Sequence, residues 1–351
     1  MGSSPRPGDR FLDTLLDTAR ARLPEPVFRY YVQGSRDGVS AIEAVAAWDR
    51  FRFLPRVLRD VTTVDTTTSL LGTPLATPYA VAPTTQQRAA HPEGEIAMAA
   101  AVAAAGSLMV VSSNAGSRFE DIAATGVPWW LQVYVTTERA RCLFLLEHAV
   151  AAGARAVVLT ADTPVVGTKY DEGETIWEAT DPGLLRVNFE ADPNELGDAG
   201  AAKATDLSVD DIDWLATTTG LPVVVKGVLR SDEARRCVRA GASAVWVSNH
   251  GGRQLDYAAA TAHCLEDVAA AVGDTAEVYV DGGIRCGRHA LAALALGARA
   301  AFLGRLPLYA LAADGRDGVA VMFEALDEQL VEAMRLAGCP STGSVPRDLL
   351  M

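Results

Sequence analysis

The residues best suited to chemistry follow one short apolar run in the C-terminal half of the chain. The run A-V-W-V at positions 244–247 is followed at once by S-N-H-G-G-R at 248–253. A β-branched apolar run of this length predicts a buried strand, so the polar residues lie where that strand ends. His250 can exchange a proton near neutral pH, and Arg253 offers a planar fork that suits a carboxylate. The motif therefore predicts acid–base chemistry on an anionic substrate, the alternative being a histidine that merely caps a strand.

The elements that position this motif repeat along the chain. Eight apolar runs occur, and segments of helical period separate most of them. Strand followed by helix, eight times over, predicts an α/β fold, the (β/α)8 TIM barrel, with a doubly wound open sheet as the alternative. The predicted strands are 79–82, 109–112, 130–134, 156–160, 223–226, 244–247, 278–281 and 300–304, and the predicted helices between them are 95–105, 138–152, 231–240, 257–272 and 288–296.

A chain of 351 residues is long enough for two domains or for one large barrel. The strand rhythm favours a single domain over 1–351, which includes an N-terminal segment over 1–77 with helices at 11–21 and 40–48. Residues 52–65 are predicted to form a lid or an entry segment. The polar stretch 165–206, between the fourth and fifth strands, is too long for an ordinary connection and predicts an active-site lid. A helix over 319–336 closes the barrel.

Composition excludes several classes of function. The formal net charge of -13 disfavours nucleic acid or an anionic membrane as partner. No apolar run is long enough to cross a bilayer, and the first ten residues are polar, so we expect a cytoplasmic protein. The five cysteines are an odd number without a C-x-x-C pair, and the five histidines lack metal-ligand spacing, so we expect reduced thiols and no metal site.

Polar side chains follow nearly every predicted strand, and strand ends converge on one rim of a barrel. The G-G turn after the seventh strand and the G-R pair after the eighth fit a phosphate site, which implies a phosphorylated cofactor. Lys226 is placed to stabilise negative charge on a heteroaromatic ring, and Asp162 to orient His250. The rim residues are Pro83, Thr84, Thr85, Ser112, Asn114, Gln132, Tyr134, Thr160, Asp162, Lys226, Ser248, His250, Arg253, Asp281, Gly282, Gly283, Gly304 and Arg305.

Four motifs carry a resemblance to a known family. They are S-N-H-G-G-R-Q-L-D at 248–256, V-V-K-G-V at 224–228, A-H-P-E-G-E at 90–95 and D-G-G-I-R at 281–285. Over about 28–338 the chain resembles the FMN-dependent 2-hydroxy acid oxidases and dehydrogenases. The resemblance implies FMN as cofactor, oxidation of a 2-hydroxy acid to a 2-keto acid with O2 giving H2O2, and a homotetramer or larger assembly. A soluble dehydrogenase with another electron acceptor stays open, as does an FMN barrel that acts on a different substrate, such as an isomerase.

The same resemblance implies a role for each site residue. His250 is the base and Asp162 its partner, Arg253 and Tyr30 bind the substrate carboxylate, and Tyr134 binds the substrate hydroxyl. From its own segment Tyr30 would be a core aromatic, so here the resemblance changes the expectation. Residues expected to hold the flavin ring are Pro83, Thr84, Thr85, Ser112, Gln132, Thr160 and Lys226, and those expected to hold the ribityl chain and phosphate are Ser248, Asp281, Gly282, Gly283, Arg285, Gly304 and Arg305.

Two departures from the family pattern bear on the substrate. Asn114 stands where glycolate oxidase carries a tryptophan, which opens the pocket and adds a polar contact. Lys169, in T-K-Y-D-E at 168–172, stands where the family carries an arginine, which keeps the charge but loses the fork. Both residues are expected to contact substrate. We therefore expect a 2-hydroxy acid that is bulkier or more polar than glycolate.

Overall fold

The eight apolar runs form eight parallel strands that close into a barrel, with each strand paired to its neighbour in sequence and the last to the first. The computed structural model describes residues 7–170, 173–184, 187–189 and 202–351. The predicted (β/α)8 barrel is confirmed. A two-stranded antiparallel sheet, Thr68–Leu70 (β1) and Thr73–Leu75 (β2), precedes it. The barrel strands are Tyr79–Val81 (β3), Met109–Ser112 (β4), Trp129–Val133 (β5), Val157–Thr160 (β6), Val223–Val228 (β7), Ala244–Val247 (β8), Glu277–Val280 (β9) and Ala300–Leu303 (β10).

Helices surround the barrel and lie close to the predicted segments. The last helix is much longer than the predicted 319–336, because it begins directly after β10 and continues past a break at Asp314 and Gly315. The helices are Pro7–Arg22 (α1), Glu25–Val32 (α2), Val39–Asp49 (α3), Gln87–Ala90 (α4), Gly94–Ala104 (α5), Phe119–Ala123 (α6), Leu143–Ala151 (α7), Ile176–Ala179 (α8), Asp210–Thr219 (α9), Ser231–Arg239 (α10), Thr261–Val272 (α11), Gly287–Ala295 (α12) and Arg305–Ala337 (α13).

The barrel interior is packed with aromatic rings. Trp130, Trp246, Tyr279 and Phe302 are fully buried there, and the ring centroids of Trp246 and Phe302 lie 3.9 Å apart. These rings fill the barrel interior, and the cavity described below lies at the C-terminal ends of the strands. Leu70 and Leu75 of the β1–β2 sheet join this inner cluster, so the sheet closes the opposite end of the barrel.

Two expectations for the N-terminal segment are corrected. The helix predicted at 11–21 extends over Pro7–Arg22, and a further helix, α2, follows it with Pro26 in its first turn, where proline is tolerated. Residues 52–65 are neither lid nor entry segment. Their backbone pairs with the C-terminal tail, as in the 2.7 Å bond from the Leu54 amide to the Leu349 carbonyl, and they stay away from the cavity described below.

The insertion at 165–206 is described in part, since 171–172, 185–186 and 190–201 lie outside the described residues. Its helix α8 begins with a capping box formed by Thr175 and Glu178. Asn188 is buried and accepts a 2.9 Å hydrogen bond from the Phe119 amide. At its return, Lys203 forms an antiparallel bridge with Thr136, just beyond β5. These described parts of the insertion are thus anchored to the barrel.

Gly252 provides a test of how tightly the 248–253 motif is packed. A Cβ atom at Gly252 would lie 2.3 Å from the Ala41 amide nitrogen, and the residue has a φ of +74°. Gly126 has a similar φ of +80° with nothing within 4 Å. We expect Gly126→Ala to lower the free energy of unfolding by about 1–3 kcal/mol through strain alone. Gly252→Ala should cost about 2 kcal/mol more, because the α3 backbone must move. Urea unfolding of both variants checks this, and equal losses would contradict it.

Candidate active site

A left-handed turn aims His250 into the barrel mouth. His250, Gly251 and Gly252 have φ values of +57°, +64° and +74° in succession, directly after β8. Glycine adopts this region freely, whereas a histidine there carries strain of about 1–3 kcal/mol. The turn brings the His250 ring to Asp162, which follows β6 two strands away. The strain is thus located at the residue predicted to be the base.

The imidazole of His250 is paired with a carboxylate. Its Nδ1 lies 2.9 Å from Asp162 Oδ1. An ionised carboxylate only accepts hydrogen bonds, so the proton of the neutral ring lies on Nδ1 and Nε2 keeps its lone pair. Burial would raise the pKa of Asp162, but the charge and hydrogen bond of His250 outweigh it and hold that pKa below its usual range. Burial, together with the charges of Lys226 and Arg253, outweighs the effect of Asp162 and lowers the pKa of His250, so the ring is neutral at neutral pH.

Arg253 and Tyr30 form a second pair in the same cavity. The Arg253 guanidinium carbon lies 4.7 Å from the centroid of the Tyr30 ring. Its Nη1 donates to the Tyr30 and Gln33 carbonyls at 2.7 and 3.0 Å, which fixes the plane of the guanidinium. The Tyr30 ring packs edge-on against Trp177 of α8, with centroids 5.6 Å apart. The N-terminal segment, the insertion and the motif after β8 therefore meet at this cation.

Lys226 is buried at the end of β7 and tied to two other strand ends. Its ammonium donates to Ser248 Oγ at 2.8 Å and lies 3.2 Å from Asp281 Oδ2. Ser248 Oγ also accepts a 3.1 Å hydrogen bond from the His250 amide. The other Asp281 oxygen, Oδ1, is buried without a partner among the described residues. A buried carboxylate oxygen of this kind needs a donor, which a ligand hydroxyl supplies.

Strand register places three more polar side chains beside Lys226. Ser112 is paired with Gln132 between β4 and β5, and Thr160 with Lys226 between β6 and β7. Gln132 links the two pairs, accepting from Ser112 Oγ at 3.2 Å and donating to Thr160 Oγ1 at 3.0 Å. These buried side chains line the cavity floor with both donors and acceptors. That combination suits the edge of a heteroaromatic ring.

The strand ends of β9 and β10 form an anion cradle. Gly282 and Gly283 have φ values of +86° and +88°, and a Cβ atom at Gly283 would lie 2.1 Å from the Ala44 carbonyl oxygen. Gly304 is the N-cap of α13, and the space where its Cβ would be is open. Both Gly304 and Arg285 line the cavity. Glycine turns and a helix N-terminus present backbone N–H groups to a phosphate. The residues present therefore fit the ring, the ribityl chain and the phosphate of FMN.

The predicted site residues converge on one cavity of about 300 Å³, within the range of small-molecule sites. Asp162 and Ser248 do not line it themselves but hydrogen-bond to His250 and Lys226, which do. The predicted residues that line the cavity are Tyr30, Pro83, Thr84, Thr85, Ser112, Asn114, Gln132, Tyr134, Thr160, Lys169, Lys226, His250, Arg253, Asp281, Gly282, Gly283, Arg285, Gly304 and Arg305.

Two predicted residues make contacts that the sequence did not indicate. Lys169 lines the cavity, but its ammonium donates to the Gly167 and Arg253 carbonyls at 2.7 and 2.6 Å. Arg305 donates to three carbonyls, those of Tyr31, Gly251 and Gln33, at 2.8–3.1 Å. Burial, followed by the charge of Arg253, lowers the pKa of Arg305 to about 10. Both cations thus hold backbone segments around the site.

The sequence analysis missed Lys203 and Trp177 as lining residues. Trp177 lies 49% exposed on α8, and the Lys203 ammonium lies 3.6 Å from the centroid of the Tyr134 ring. Both belong to the insertion, whose path over the barrel depends on long-range pairing with no periodic signal.

The described residues contain no helix long and apolar enough to span a membrane. They also contain no cluster of three or more metal-ligating side chains.

Comparison with known proteins places the chain in a family. The model of the FMN-dependent dehydrogenase family matches residues 19–351. Glycolate oxidase 3 of Arabidopsis thaliana is 40% identical over 94% of this chain and 92% of its own length. L-lactate oxidase of Nostoc sp. PCC 7120 is 38% identical, over 95% of both chains. The crystal structure of mandelate oxidase is 38% identical with a TM-score of 0.87, over 97% of both chains. The chain therefore belongs to the FMN-dependent dehydrogenase family, as an oxidoreductase of CH–OH donors that uses FMN.

Proposed function

We propose that the protein oxidises a 2-hydroxy acid to the 2-keto acid and passes the electrons to O2, which gives H2O2. The observation that carries this proposal is the His250–Asp162 pair in one cavity with the Arg253–Tyr30 pair. The first pair holds a neutral base and the second a cation for a carboxylate. A 2-hydroxy acid has its carboxylate next to the carbon that bears the hydroxyl. One small molecule of this kind can contact both pairs.

The proposed roles follow from the atoms. Nε2 of His250 accepts the proton that the substrate loses, and Asp162 stabilises the resulting imidazolium. Arg253 binds the substrate carboxylate, with Tyr30 beside it. Burial, followed by the charge of Asp162, raises the pKa of Tyr134, so its hydroxyl stays protonated and donates to the substrate oxygen. FMN, when bound, supplies the acceptor for two electrons.

The chain's own residues hold the cofactor in this proposal. Ser112, Gln132, Thr160 and Lys226 contact the ring edge together with the Pro83, Thr84 and Thr85 segment. The Lys226 ammonium stabilises negative charge that develops there. The ribityl chain and phosphate lie on Ser248, Asp281, Gly282, Gly283, Arg285, Gly304 and Arg305.

We propose a substrate bulkier or more polar than glycolate, which Asn114, Lys169 and the insertion would contact. Asn114, Lys169 and Trp177 line the cavity and offer this substrate an amide, an ammonium and an aromatic ring. A mutant of mandelate oxidase has been solved with (S)-mandelic acid, a 2-hydroxy acid that carries an aryl ring. The insertion 165–206 would act as a cover over this wall within a single domain.

An anaerobic experiment tests the function directly. Purified yellow protein is mixed with 2-hydroxy acids, from glycolate and lactate through mandelates to larger polar acids. The absorbance of the flavin band at about 450 nm is followed. We expect bleaching with the larger acids and rapid return of colour when air is admitted. Slow return in air but fast return with artificial acceptors would identify a dehydrogenase instead. No bleaching with any acid would refute the proposal, and bleaching by glycolate in preference would refute the substrate class.

The pH dependence of turnover tests the assignment of the base. The pKa of His250 lies below its usual value of about 6.5, and the base acts only when unprotonated, so kcat/KM should fall as pH drops through that lowered pKa. Asp162 raises the His250 pKa, so Asp162→Asn should move this acid limb to lower pH and lower the plateau about tenfold or more. A limb that moves to higher pH in Asp162→Asn would contradict the pairing.

Assembly and location are part of the same proposal. We propose a cytoplasmic homotetramer, an assembly implied by the family resemblance. Ile42, Leu255 and Tyr257 are each more than 70% exposed, and subunit contacts would cover apolar side chains of this kind. Sedimentation velocity of the purified protein checks the assembly, and a monomer would overturn it.

A further inference from the structure

One cation of the cavity has no part in the reaction proposed above. Lys203 lies on the returning arm of the insertion, and its ammonium stacks on the face of Tyr134 at 3.6 Å from the ring centroid. Its side chain is half-buried and lines the same cavity as His250 and Arg253. A cation–π contact with a single tyrosine is a modest interaction. That contact alone is weak compensation for removing an ammonium from water.

The backbone holds Lys203 in this position. The residue bridges Thr136, and its neighbours complete the pairing, with the Ala204 amide 2.9 Å from the Val135 carbonyl and the Thr137 amide 2.8 Å from the Ala202 carbonyl. These residues continue directly from β5, which ends just before Tyr134. Because the strand extension fixes the Cα of Lys203 beside Tyr134, its ammonium remains at the cavity wall.

The other cations of the cavity already have assignments. Lys226 is paired with Asp281, and Lys169 donates to two backbone carbonyls. Arg253 is assigned to the substrate carboxylate, while Arg285 and Arg305 lie at the phosphate end. Asp281 is the single acidic residue among the described lining residues. The cavity thus carries more positive charge than FMN and one carboxylate require.

Lys203 differs from these cations in its surroundings. Within the described parts of the chain, no hydrogen-bond acceptor or ion-pair partner contacts its ammonium, and the Tyr134 ring is its one polar contact. Burial lowers the pKa of Lys203 to about 8, and the charge of Asp162 offsets only part of that effect. Arg253 stacks on the Tyr30 ring, whereas Lys203 stacks on the Tyr134 ring, so the two cations lie at different places in the cavity. A second anionic group would supply the missing partner.

We propose that Lys203 binds a second anionic group at the far end of the substrate side chain, so that 2-hydroxy diacids are preferred substrates. This inference rests on the proposed function and narrows its substrate class. A neutral side chain of the same length leaves the ammonium without a partner, whereas a carboxylate there forms a charge-assisted hydrogen bond in a partly desolvated cavity. Lys203 is then a specificity-determining residue and takes no part in proton transfer.

The test compares substrates matched in length on the FMN-bound enzyme. Malate and 2-hydroxyglutarate are paired with 2-hydroxybutyrate and 2-hydroxypentanoate, in the wild type, Lys203→Met and Lys203→Arg. We expect Lys203→Met to lower kcat/KM for the diacids about 30-fold or more and for the monoacids less than about threefold. Lys203→Arg, which keeps the charge, should keep most of the diacid preference. Calorimetric Kd values for 2-oxoglutarate should weaken in parallel, and those for 2-oxopentanoate should not.

Arg299→Met is the control, since it removes a cation that contacts Glu277 and does not line the cavity; it should leave kcat/KM for both substrate classes unchanged. An equal loss for both classes in Lys203→Met would overturn the inference, and so would wild-type enzyme that favours monoacids. Either result leaves the proposed function standing, because monoacids are still oxidised. If neither class bleaches the flavin, the proposed function itself fails. Retention of FMN and an unchanged urea midpoint show that Lys203→Met has folded.

Discussion

His250→Asn lowers kcat by about 10²–10⁴-fold while the protein stays yellow. The expectation follows from the loss of a general base whose Nε2 faces the cavity and whose Nδ1 is held 2.9 Å from Asp162. Asparagine tolerates the φ of +57° at this position better than most residues, so the turn after β8 is preserved. Anaerobic single-turnover bleaching of the flavin measures the step itself, free of oxygen kinetics.

The control for this prediction is His263→Ala, an exposed histidine on α11 outside the cavity, which should leave kcat unchanged. The FMN content of both variants is compared with the wild type by absorbance after denaturation. If the flavin of His250→Asn bleached at the wild-type rate, His250 would not be the base. Loss of FMN would instead show that the turn supports the cofactor site.

Arg253→Met lowers kcat/KM by about 100-fold or more, because it removes the cation opposite the substrate carboxylate. Truncating one partner of a desolvated charge pair costs about 2–5 kcal/mol. Arg253→Lys restores the charge without the fork, so it should recover only part of the loss. The dissociation constant of a 2-oxo acid product, measured by calorimetry on the FMN-bound enzyme, should weaken in the same order.

Arg253 also holds backbone, and the controls must separate that effect. Its Nη1 donates to the Tyr30 and Gln33 carbonyls, so urea unfolding of each variant reports any structural loss. Arg299→Met, whose wild-type side chain contacts Glu277 at 3.8 Å, provides an arginine replacement away from the cavity and should keep full activity. Substrate affinity that survives Arg253→Met with an unchanged urea midpoint would assign carboxylate binding to another residue.

The barrel could be predicted because its strands are apolar on both faces. Val223 to Val225 and Ala244 to Val247 are buried throughout, so each appears in the sequence as an unbroken apolar run. The site residues at the strand ends could be predicted as well, because a polar residue that follows an apolar run lies where that strand ends. The β1–β2 sheet was missed because its strands are only three residues long and contain Thr68 and Pro74, which give no clear pattern.

The contacts that the insertion makes with the cavity could not be predicted from the sequence. Lys203 reaches the cavity through pairing with Thr136, a contact between residues far apart in sequence. Nothing in the local pattern of A-A-K-A-T-D at 201–206 indicates that partner. Lys169 was predicted from the family resemblance, but its carbonyl contacts depend on how residues 167 and 253 approach each other. Such contacts are set by tertiary packing, which local periodicity does not encode.

The carbonyls of residues 30–33 are held by two arginines from the far end of the chain, Arg253 and Arg305. Because the chain is synthesised from its N-terminus, residues 30–33 have none of these contacts until Arg253 and Arg305 have been made. A truncated chain that stops before Arg305 lacks both the last strand end and the clamp on residues 31–33. Assembly of the cavity around residues 30–33 therefore requires that synthesis has passed residue 305.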